Sequence, residues 1–348
     1  MADPSASPGL DWGGIVSDRL VLRSLRGATD YLADELRQVS ATTTARVEVV
    51  RRRPDRLDVE LTGPLAALRP LHFFSEAAVD LGEPSETEER LRISLTEGAL
   101  SALPGPVRFR VGDLGDERWE LRDRLVQTWG WDNAPRGWQV NLDLVEGHLL
   151  ATVGDLHLTR RHGRLERLPA STTPVLAAAL VRLAKIPPGA VVVDPFCGAG
   201  TNLLLAHAMT GPELLVGLDH RPDSLAPARA NATRREAPLR LVRADATRLP
   251  LSSGCADRVI GNLPFGKRVG SHGANQELYP RFCRELDRVL TGDGRAVLLT
   301  EDKRLLVDSI QRTRGLRVIK EATFETGGAH PTAYVVVRSR GQARRRHG

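Results

Sequence analysis

Val191–Thr201, VVVDPFCGAGT, runs from a buried strand straight into a glycine-rich turn, and an amphipathic helix is predicted to follow over Asn202–Met209. A strand, a tight loop and a helix start in that order make a nucleotide grip. Gly198 and Gly200 lack a Cβ, so the backbone can take positive φ there and let a ligand approach, while the helix start offers unpaired N–H groups. Asp194 closes the strand at its carboxyl end, where open α/β sheets place their ligands. The loop fits neither GxGxxG nor a Walker A sequence, and the missing Lys-Ser/Thr pair argues against an NTPase. An acid at the strand end suits a cationic ligand group instead.

Outward from this stretch the texture is α/β. A helix over Thr173–Ala184 precedes the strand, read as Ala190–Asp194. Strand Leu214–Asp219, helix Pro222–Glu236, strand Leu239–Ala244, strand Asp257–Gly261, helix Glu277–Leu290 and strand Arg295–Thr300 follow. Repeated strand–helix units predict a mainly parallel sheet with helices on both faces. Leu316–Lys320 and Thr332–Arg338 read as a terminal antiparallel pair.

Upstream the units are smaller and α+β. Leu20–Leu22 is strand-like, a helix capped by Thr29 or Asp30 runs through Val39, and Arg46–Arg51 and Arg56–Leu61 alternate around the Pro54-Asp55 turn. Leu65–Leu81 carries a further helical period. An acidic helical run over 85–103, a strand Val107–Val111, a helix Glu117–Trp129 and a hairpin of Trp138–Leu144 with His148–Val153 around Glu146-Gly147 complete the region. Trp119 and Trp129 are read as core; Trp131 and Trp138 stay open between core packing and stacking on unpaired bases. The basic connector Leu156–Pro169 could touch phosphates or be a solvated loop.

The chain has 348 residues, enough for two or more domains, with 41% hydrophobic and 26% charged residues. These values exclude a disordered chain, and no apolar run has the length of a membrane span. The start, MADPSASPGLDWGG, has neither a basic nor an apolar leader, so a cytoplasmic protein is expected. Cys197, Cys255 and Cys283 lack CxxC spacing, which argues against disulfides and structural zinc, so no metal is expected. The net charge of +6 is carried mostly by arginine. Arginine suits phosphate recognition, although GC-rich codon usage would also inflate it.

The strand ends of the second half carry Asp194, Asp219, Asp245 and Asn262, which a doubly wound sheet lines up along one rim. Asp219 lies about 20 residues beyond the glycine loop, the spacing at which an acid meets ribose hydroxyls. Any one of these aspartates could be a helix N-cap; the set is harder to dismiss. Gly261–Gly270, GNLPFGKRVG, is the second chemical stretch. Pro264 stiffens a loop in which the Asn262 amide oxygen and a backbone carbonyl can accept the two hydrogens of an exocyclic amine, and Phe265 offers a stacking face. Hydrogen bonds that favour a pyramidal nitrogen localise its lone pair toward an electrophile. Asn262 cannot act as a general base.

DPFCGAGT, GLDHRPDSLAPARAN, RADATRLPL and NLPFGKRVGS resemble motifs I to IV of S-adenosylmethionine-dependent amino-methyltransferases. Leu263 before Pro264, the GKRVGS continuation, and the later LYPRFCREL and GRAVLLTED resemble a narrower group, the THUMP-domain tRNA guanosine N2-methyltransferases. The likeness is specific over Thr173–Val337. It implies a Rossmann-like, seven-stranded class I methyltransferase domain (173–338) with a basic tail (339–348). Upstream it implies a ferredoxin-like domain (15–82), a THUMP-like RNA-binding domain (86–160) and a basic linker (161–172). Asp194, Phe196, Gly198, Gly200 and Thr201 would line the methionine end of S-adenosyl-L-methionine, Asp219 the ribose, and Asp245 with Ala246 the adenine. Asn262, Leu263, Pro264 and Phe265 would form the catalytic loop, with Asn262 also beside the cofactor and Phe265 on a flipped guanine. Lys267, Arg268, Arg108, Arg110 and Arg122 are candidate RNA contacts, and Arg118 and Arg124 lie near them.

The implied activity is formation of N2-methylguanosine in tRNA, in the acceptor stem, by a monomer, with a partner subunit as the alternative. Ribosomal RNA guanine-N2 or nucleic-acid adenine-N6 methylation, and an RNA-binding module with a vestigial methyltransferase fold, are the competing readings. One departure stands out: the family writes Pro-Thr/Ser-Leu-Ala before motif I, and this chain has Pro174-Val175-Leu176-Ala177. A side-chain hydrogen bond from that site is therefore lost.

Overall fold

The computed structural model describes residues 9–112, 114, 117–265 and 272–339. They divide into two compact units at Arg164/Leu165.

In the first unit, strands β1 (Ile15–Arg23), β2 (Arg46–Arg53), β3 (Arg56–Pro64), β4 (Glu76–Asp80), β5 (Arg108–Val111), β6 (Asp132–Asn133), β7 (Val140–Val145) and β8 (His148–Val153) join one sheet in the order β2-β3-β1-β4-β8-β7-β5-β6. Helices α1 (Thr29–Thr42), α2 (Thr87–Thr96), α3 (Glu117–Trp129) and the short α4 (Leu158–Arg161) belong to the same unit. The β7–β8 hairpin turns through Glu146 (φ 52°) and Gly147 (φ 86°), two successive left-handed residues whose twist matches that of the strands. Strands from 15–82 and 86–160 thus meet in a single sheet through the antiparallel β4–β8 pair.

Two expectations fail here. Leu65–Leu81 is not a helix: only Leu65–Leu68 makes a 3₁₀ turn, and Glu76–Asp80 is strand β4. Pro70 has no N–H to extend a helix, and β4 pairs with both β1 and β8, which overrides the helical propensity of its alanines. Nor are Trp119 and Trp129 core residues. Trp119 is 58% exposed and Trp129 half-buried: α3 buries Leu125, and at about 100° per residue Trp119 lies about 120° around the helix from it, while Trp129 lies about 40° away at the helix end. Trp131 is buried against Phe109, and Trp138 is half-buried between the guanidinium groups of Arg110 and Arg160.

The second unit holds β9 (Val191–Asp194), β10 (Leu214–Asp219), β11 (Leu239–Arg243), β12 (Ala256–Asn262), β13 (Leu290–Thr300), β14 (Leu316–Thr323) and β15 (Thr332–Arg338). Helices α5 (Pro174–Ala184), α6 (Thr201–Thr210), α7 (Pro222–Arg234), α8 (His272–Val289) and α9 (Lys303–Arg312) accompany them. The strand order is β11-β10-β9-β12-β13-β15-β14. The first five are parallel, and β15 runs antiparallel to both its neighbours. Central strands read as unbroken apolar runs because helices cover both faces: Val192, Val193, Val259, Val297 and Leu298 are all but fully buried. Helix α9 escapes the sequence reading. Its signal is short, with Leu306 and Ile310 four apart and buried beneath a charged outer face.

Candidate active site

The strand order reverses between β9 and β12, two parallel neighbours with Val192 opposite Arg258 and Val193 opposite Val259. A crevice forms beyond the carboxyl ends of such a pair, since the connections leave toward different sides. Asp194 ends β9 and Asn262 ends β12, so the two sequence motifs meet at this switch point.

The glycine loop is a closed turn. The N–H of Cys197 donates to the Leu218 carbonyl at 2.9 Å and that of Gly200 to the Cys197 carbonyl at 2.7 Å. Gly198 (φ 48°) and Gly200 (φ 80°) are both left-handed, and Gly200 leads directly into α6. Asp219 reaches across from β10: its Oδ2 accepts from the N–H of Gly198 at 3.0 Å and its Oδ1 from that of Arg221 at 2.9 Å. The carboxylate that would meet a ribose therefore also braces the loop.

Asp194 is placed deeper than a ligand-lining residue. It is fully buried, with Oδ1 accepting from the Phe196 N–H and Oδ2 from the Asn202 amide, each at 3.0 Å. Burial pushes its carboxyl up to about 7, opposed by the Asn202 and Phe196 hydrogen bonds and reinforced weakly by Asp219. Its direct work is to fix the loop and the start of α6. Asn202 Oδ1 is buried without a partner, and Thr201 is buried beside it. Phe196 meets Phe282 edge-on at 5.0 Å, and a Cβ on Gly261 would lie 3.4 Å from its ring, so the glycine of β12 lets it settle there. Asp245 is exposed and accepts from the Thr247 N–H at 2.8 Å, with Ala246 buried behind it.

Asn262 has its amide held from one side. Nδ2 donates to the Ala170 carbonyl at 3.2 Å and to Thr172 Oγ1 at 3.1 Å, while Oδ1 is buried with no partner. Leu263 is buried and its N–H donates to the Leu299 carbonyl at 3.0 Å. The Pro264 carbonyl accepts from Asn275 Nδ2 at 2.8 Å and from the Tyr279 hydroxyl at 2.9 Å, so both its lone pairs are engaged. Phe265 is half-buried. Lys267 and Arg268 lie outside the described residues. Ala170, Thr172, Asn231, Asn275 and Tyr279 escape the sequence reading; each acts through a contact across the fold that no local pattern marks.

The set fits S-adenosyl-L-methionine. Two left-handed glycines open the loop to close approach, the rim is acidic, and Asn202 and Asn262 keep buried acceptors unengaged. Among the described residues no cluster of His, Cys, Asp or Glu has the makings of a metal site.

In the first unit Arg110 donates to Asn141 Oδ1 at 2.7 Å and stacks on Trp138. Arg108 reaches the Arg136 carbonyl at 3.2 Å and lies 4.0 Å from Asp132. Arg122 pairs with Asp123 and Arg124 with Glu120, and both Arg118 and Arg122 lie over the exposed Trp119 ring. The candidates therefore fall into two groups, one on β5 and one on α3. No described helix is long and apolar enough to cross a membrane.

Five parallel strands, an antiparallel β15 inserted before β14, and a glycine loop and an Asn-Leu-Pro-Phe loop at the ends of the neighbouring β9 and β12 define a class I methyltransferase domain. Residues 161–332 match the family described as "UPF0020: RMKL-like, methyltransferase domain". The tRNA (guanine(6)-N2)-methyltransferase of Thermus thermophilus is 38% identical over 172 residues, 49% of this chain and 50% of that protein. The tRNA (guanine(6)-N(2))-methyltransferase THUMP3 of Homo sapiens is 30% identical over 186 residues, 49% of this chain and 37% of that one. The crystal structure of TrmN from Thermus thermophilus superposes with a TM-score of 0.66 at 27% identity, covering 92% of this chain and 99% of that chain. The second unit thus resembles the methyltransferase domain of the tRNA guanine N2-methyltransferases, and S-adenosyl-L-methionine is the cofactor of its fold. The chain spans half or less of the length of these two curated relatives.

Proposed function

We propose that this protein methylates the exocyclic N2 of a guanosine in the acceptor stem of tRNA. The observation that carries this reading is the Asn262 amide: both its hydrogens are taken, by the Ala170 carbonyl and Thr172 Oγ1, and its oxygen is left as a buried acceptor with no partner at the end of β12. An acceptor there suits an amine and repels a ring carbonyl. The names of the relatives, which specify guanine 6 of tRNA, support the substrate.

When bound, S-adenosyl-L-methionine supplies a methyl group already activated on a sulfonium. The chain's own residues do the rest by placement. Asp219 and the left-handed Gly198, hydrogen-bonded to each other, would hold the cofactor, and the buried Asp194 fixes the loop through Phe196 and Asn202. Asn262 Oδ1 accepts one hydrogen of the amine. Because the Pro264 carbonyl already serves Asn275 and Tyr279, the second acceptor is the backbone carbonyl of Leu263. Phe265 stacks on the extruded base. The N–C bond forms as the S–C bond breaks, and the amine's surplus proton passes to water, since an amide cannot take it.

Residues 15–82 serve as a ferredoxin-like domain and 86–160 as a THUMP-like domain that docks the RNA, joined through the linker 161–172 to the methyltransferase domain 173–338 and its basic tail 339–348. Arg108, Arg110 and Arg122 contact phosphates, as do Lys267 and Arg268 beside the catalytic loop. The protein works as a cytoplasmic monomer.

Purified protein incubated with an unmodified tRNA transcript and S-adenosyl-L-methionine is expected to yield N2-methylguanosine by nucleoside mass spectrometry. No methylated nucleoside, or N6-methyladenosine in its place, would sink this reading. RNA binding without calorimetric binding of the cofactor would mark a vestigial fold instead.

A further inference from the structure

We infer that Thr172 is a positioning residue that, with the Ala170 carbonyl, holds the Asn262 amide so that its oxygen and not its nitrogen faces the acceptor amine. This rests on the reading of Asn262 as the amine-binding residue.

An amide has two donors and one acceptor oxygen, and its two ends are told apart only by what surrounds them. Here the surroundings decide. A backbone carbonyl can only accept, so the atom 3.2 Å from the Ala170 oxygen must be Nδ2. Its second hydrogen points to Thr172 Oγ1 at 3.1 Å, a hydroxyl that serves as acceptor in that bond. Turned over, the amide would set oxygen against oxygen at Ala170. Thr172 is a buried side chain, 7% exposed, so water does not stand in for its hydroxyl.

The segment carrying both partners is itself fixed. Asn231, fully buried on α7, accepts from the Glu166 N–H at 2.8 Å and donates to the Glu166 and Ala199 carbonyls at 3.0 Å. Leu168 and Ser171 then close a turn, with the Leu168 N–H donating to Ser171 Oγ at 2.7 Å and the Ser171 N–H to the Leu168 carbonyl at 3.0 Å. Residues 166–172 form a strap tied at one end to the glycine loop and at the other to Asn262. The consequence is chemical selection: an amide locked with its nitrogen on Ala170 and Thr172 leaves its oxygen to take an N–H donor and turns away a carbonyl at the same place.

The test compares Thr172→Val with Thr172→Ser. The valine variant keeps the volume and loses the acceptor; its kcat is expected to fall about tenfold, the kinetic counterpart of one net hydrogen bond, with KM for tRNA and cofactor affinity within about twofold. The serine variant is expected to restore kcat to within about twofold. If the valine variant does not fold, Thr172→Ala is read in the same way. The Asn262 side-chain amide proton signals in nuclear magnetic resonance give a readout free of activity, and are expected to shift and exchange faster in the valine variant only. Wild-type kcat and unmoved amide signals in the valine variant overturn the positioning role and leave the proposed reaction standing. Absence of methylation by the wild type removes the proposed reaction and, with it, this role.

Discussion

The strand-end rim of the second unit and the arginine-bearing faces of the first differ in what their polar groups already hold. On the rim, Asn202 and Asn262 each present a buried oxygen with no partner, although a buried, unsatisfied acceptor costs about 1–3 kcal/mol. In the first unit Arg110, Arg122 and Arg124 each have a side-chain acceptor on the same unit. Its own buried orphans, Arg53 Nε and Asp58 Oδ1, sit within an ion-pair cluster, with Arg53 and Asp58 3.7 Å apart. The rim thus leaves acceptors unengaged, whereas on α3 of the first unit Arg122 and Arg124 sit in exposed ion pairs that exchange partners at little cost.

The largest test of this contrast is Asn262→Ala. It removes the aimed acceptor, and methyl transfer is expected to fall about 10²- to 10³-fold, the range for loss of one preorganised hydrogen-bonding group. Cofactor affinity by calorimetry should stay within about threefold. An equal loss in affinity and turnover would mean that Asn262 organises the cofactor pocket and not the amine.

Asp194→Asn comes next. Burial raises this carboxyl from its ordinary range to about 7, so in the window between roughly pH 4 and 7 the folded protein holds a proton that the unfolded chain has released. Stability is therefore present in full at low pH and falls as pH rises through the folded value. At about 1.4 kcal/mol per pKa unit the effect reaches a few kcal/mol. The thermal midpoint of the cofactor-free wild type should decline from pH 5 to 7.5 more steeply than that of the variant. Parallel curves would show that Asp194 is already ionised beneath the loop.

Why some of this could be read from the chain and some not is a matter of contact distance. The glycine loop, Asp219 and the Asn262 loop are local patterns: each strand and the turn after it lie within about ten residues, and the chemistry follows from residue type. The mainly parallel sheet with its terminal antiparallel pair follows almost as directly, since β–α alternation leaves few topologies. What the chain conceals is who holds these groups. Thr172 and Asn262 are 90 residues apart, and Asn231 and Glu166 are 65 apart, with no spacing rule joining them. Asp194 was legible as a strand-end acid, yet its depth depends on the packing of α6. Trp119 misleads for the opposite reason: a large aromatic suggests core, but the helix phase set by Leu125 turns it outward.

Gly200→Ala separates loop shape from space. An added Cβ would stand 3.5 Å from Ala228 Cβ and Leu239 Cδ2, ordinary contact distances, so the left-handed φ of 80° carries the cost. About 1–2 kcal/mol is expected, with a matching fall in the thermal midpoint and weaker cofactor binding. A loss several times larger would mean that the turn rearranges and takes α6 with it.

The smallest effect belongs to the first unit and tests the other half of the contrast. Arg122 lies on α3 with its guanidinium 2.9 Å (Nε) from Asp123 and 4.6 Å from the Trp119 ring centroid. Both partners are exposed, so the pair contributes about 0–1 kcal/mol and yields readily to a phosphate. One phosphate contact accounts for about 0.7–0.9 of the slope of log affinity against log salt. Arg122→Ala should therefore weaken tRNA binding two- to threefold and lower that slope by less than about one, with kcat at saturating tRNA unchanged. A slope that does not move would take RNA contact away from α3 and leave the β5 group, Arg108 and Arg110 beside Trp138, to supply it. A fall in kcat would break the contrast itself, because a residue of the first unit would then be affecting the chemical step.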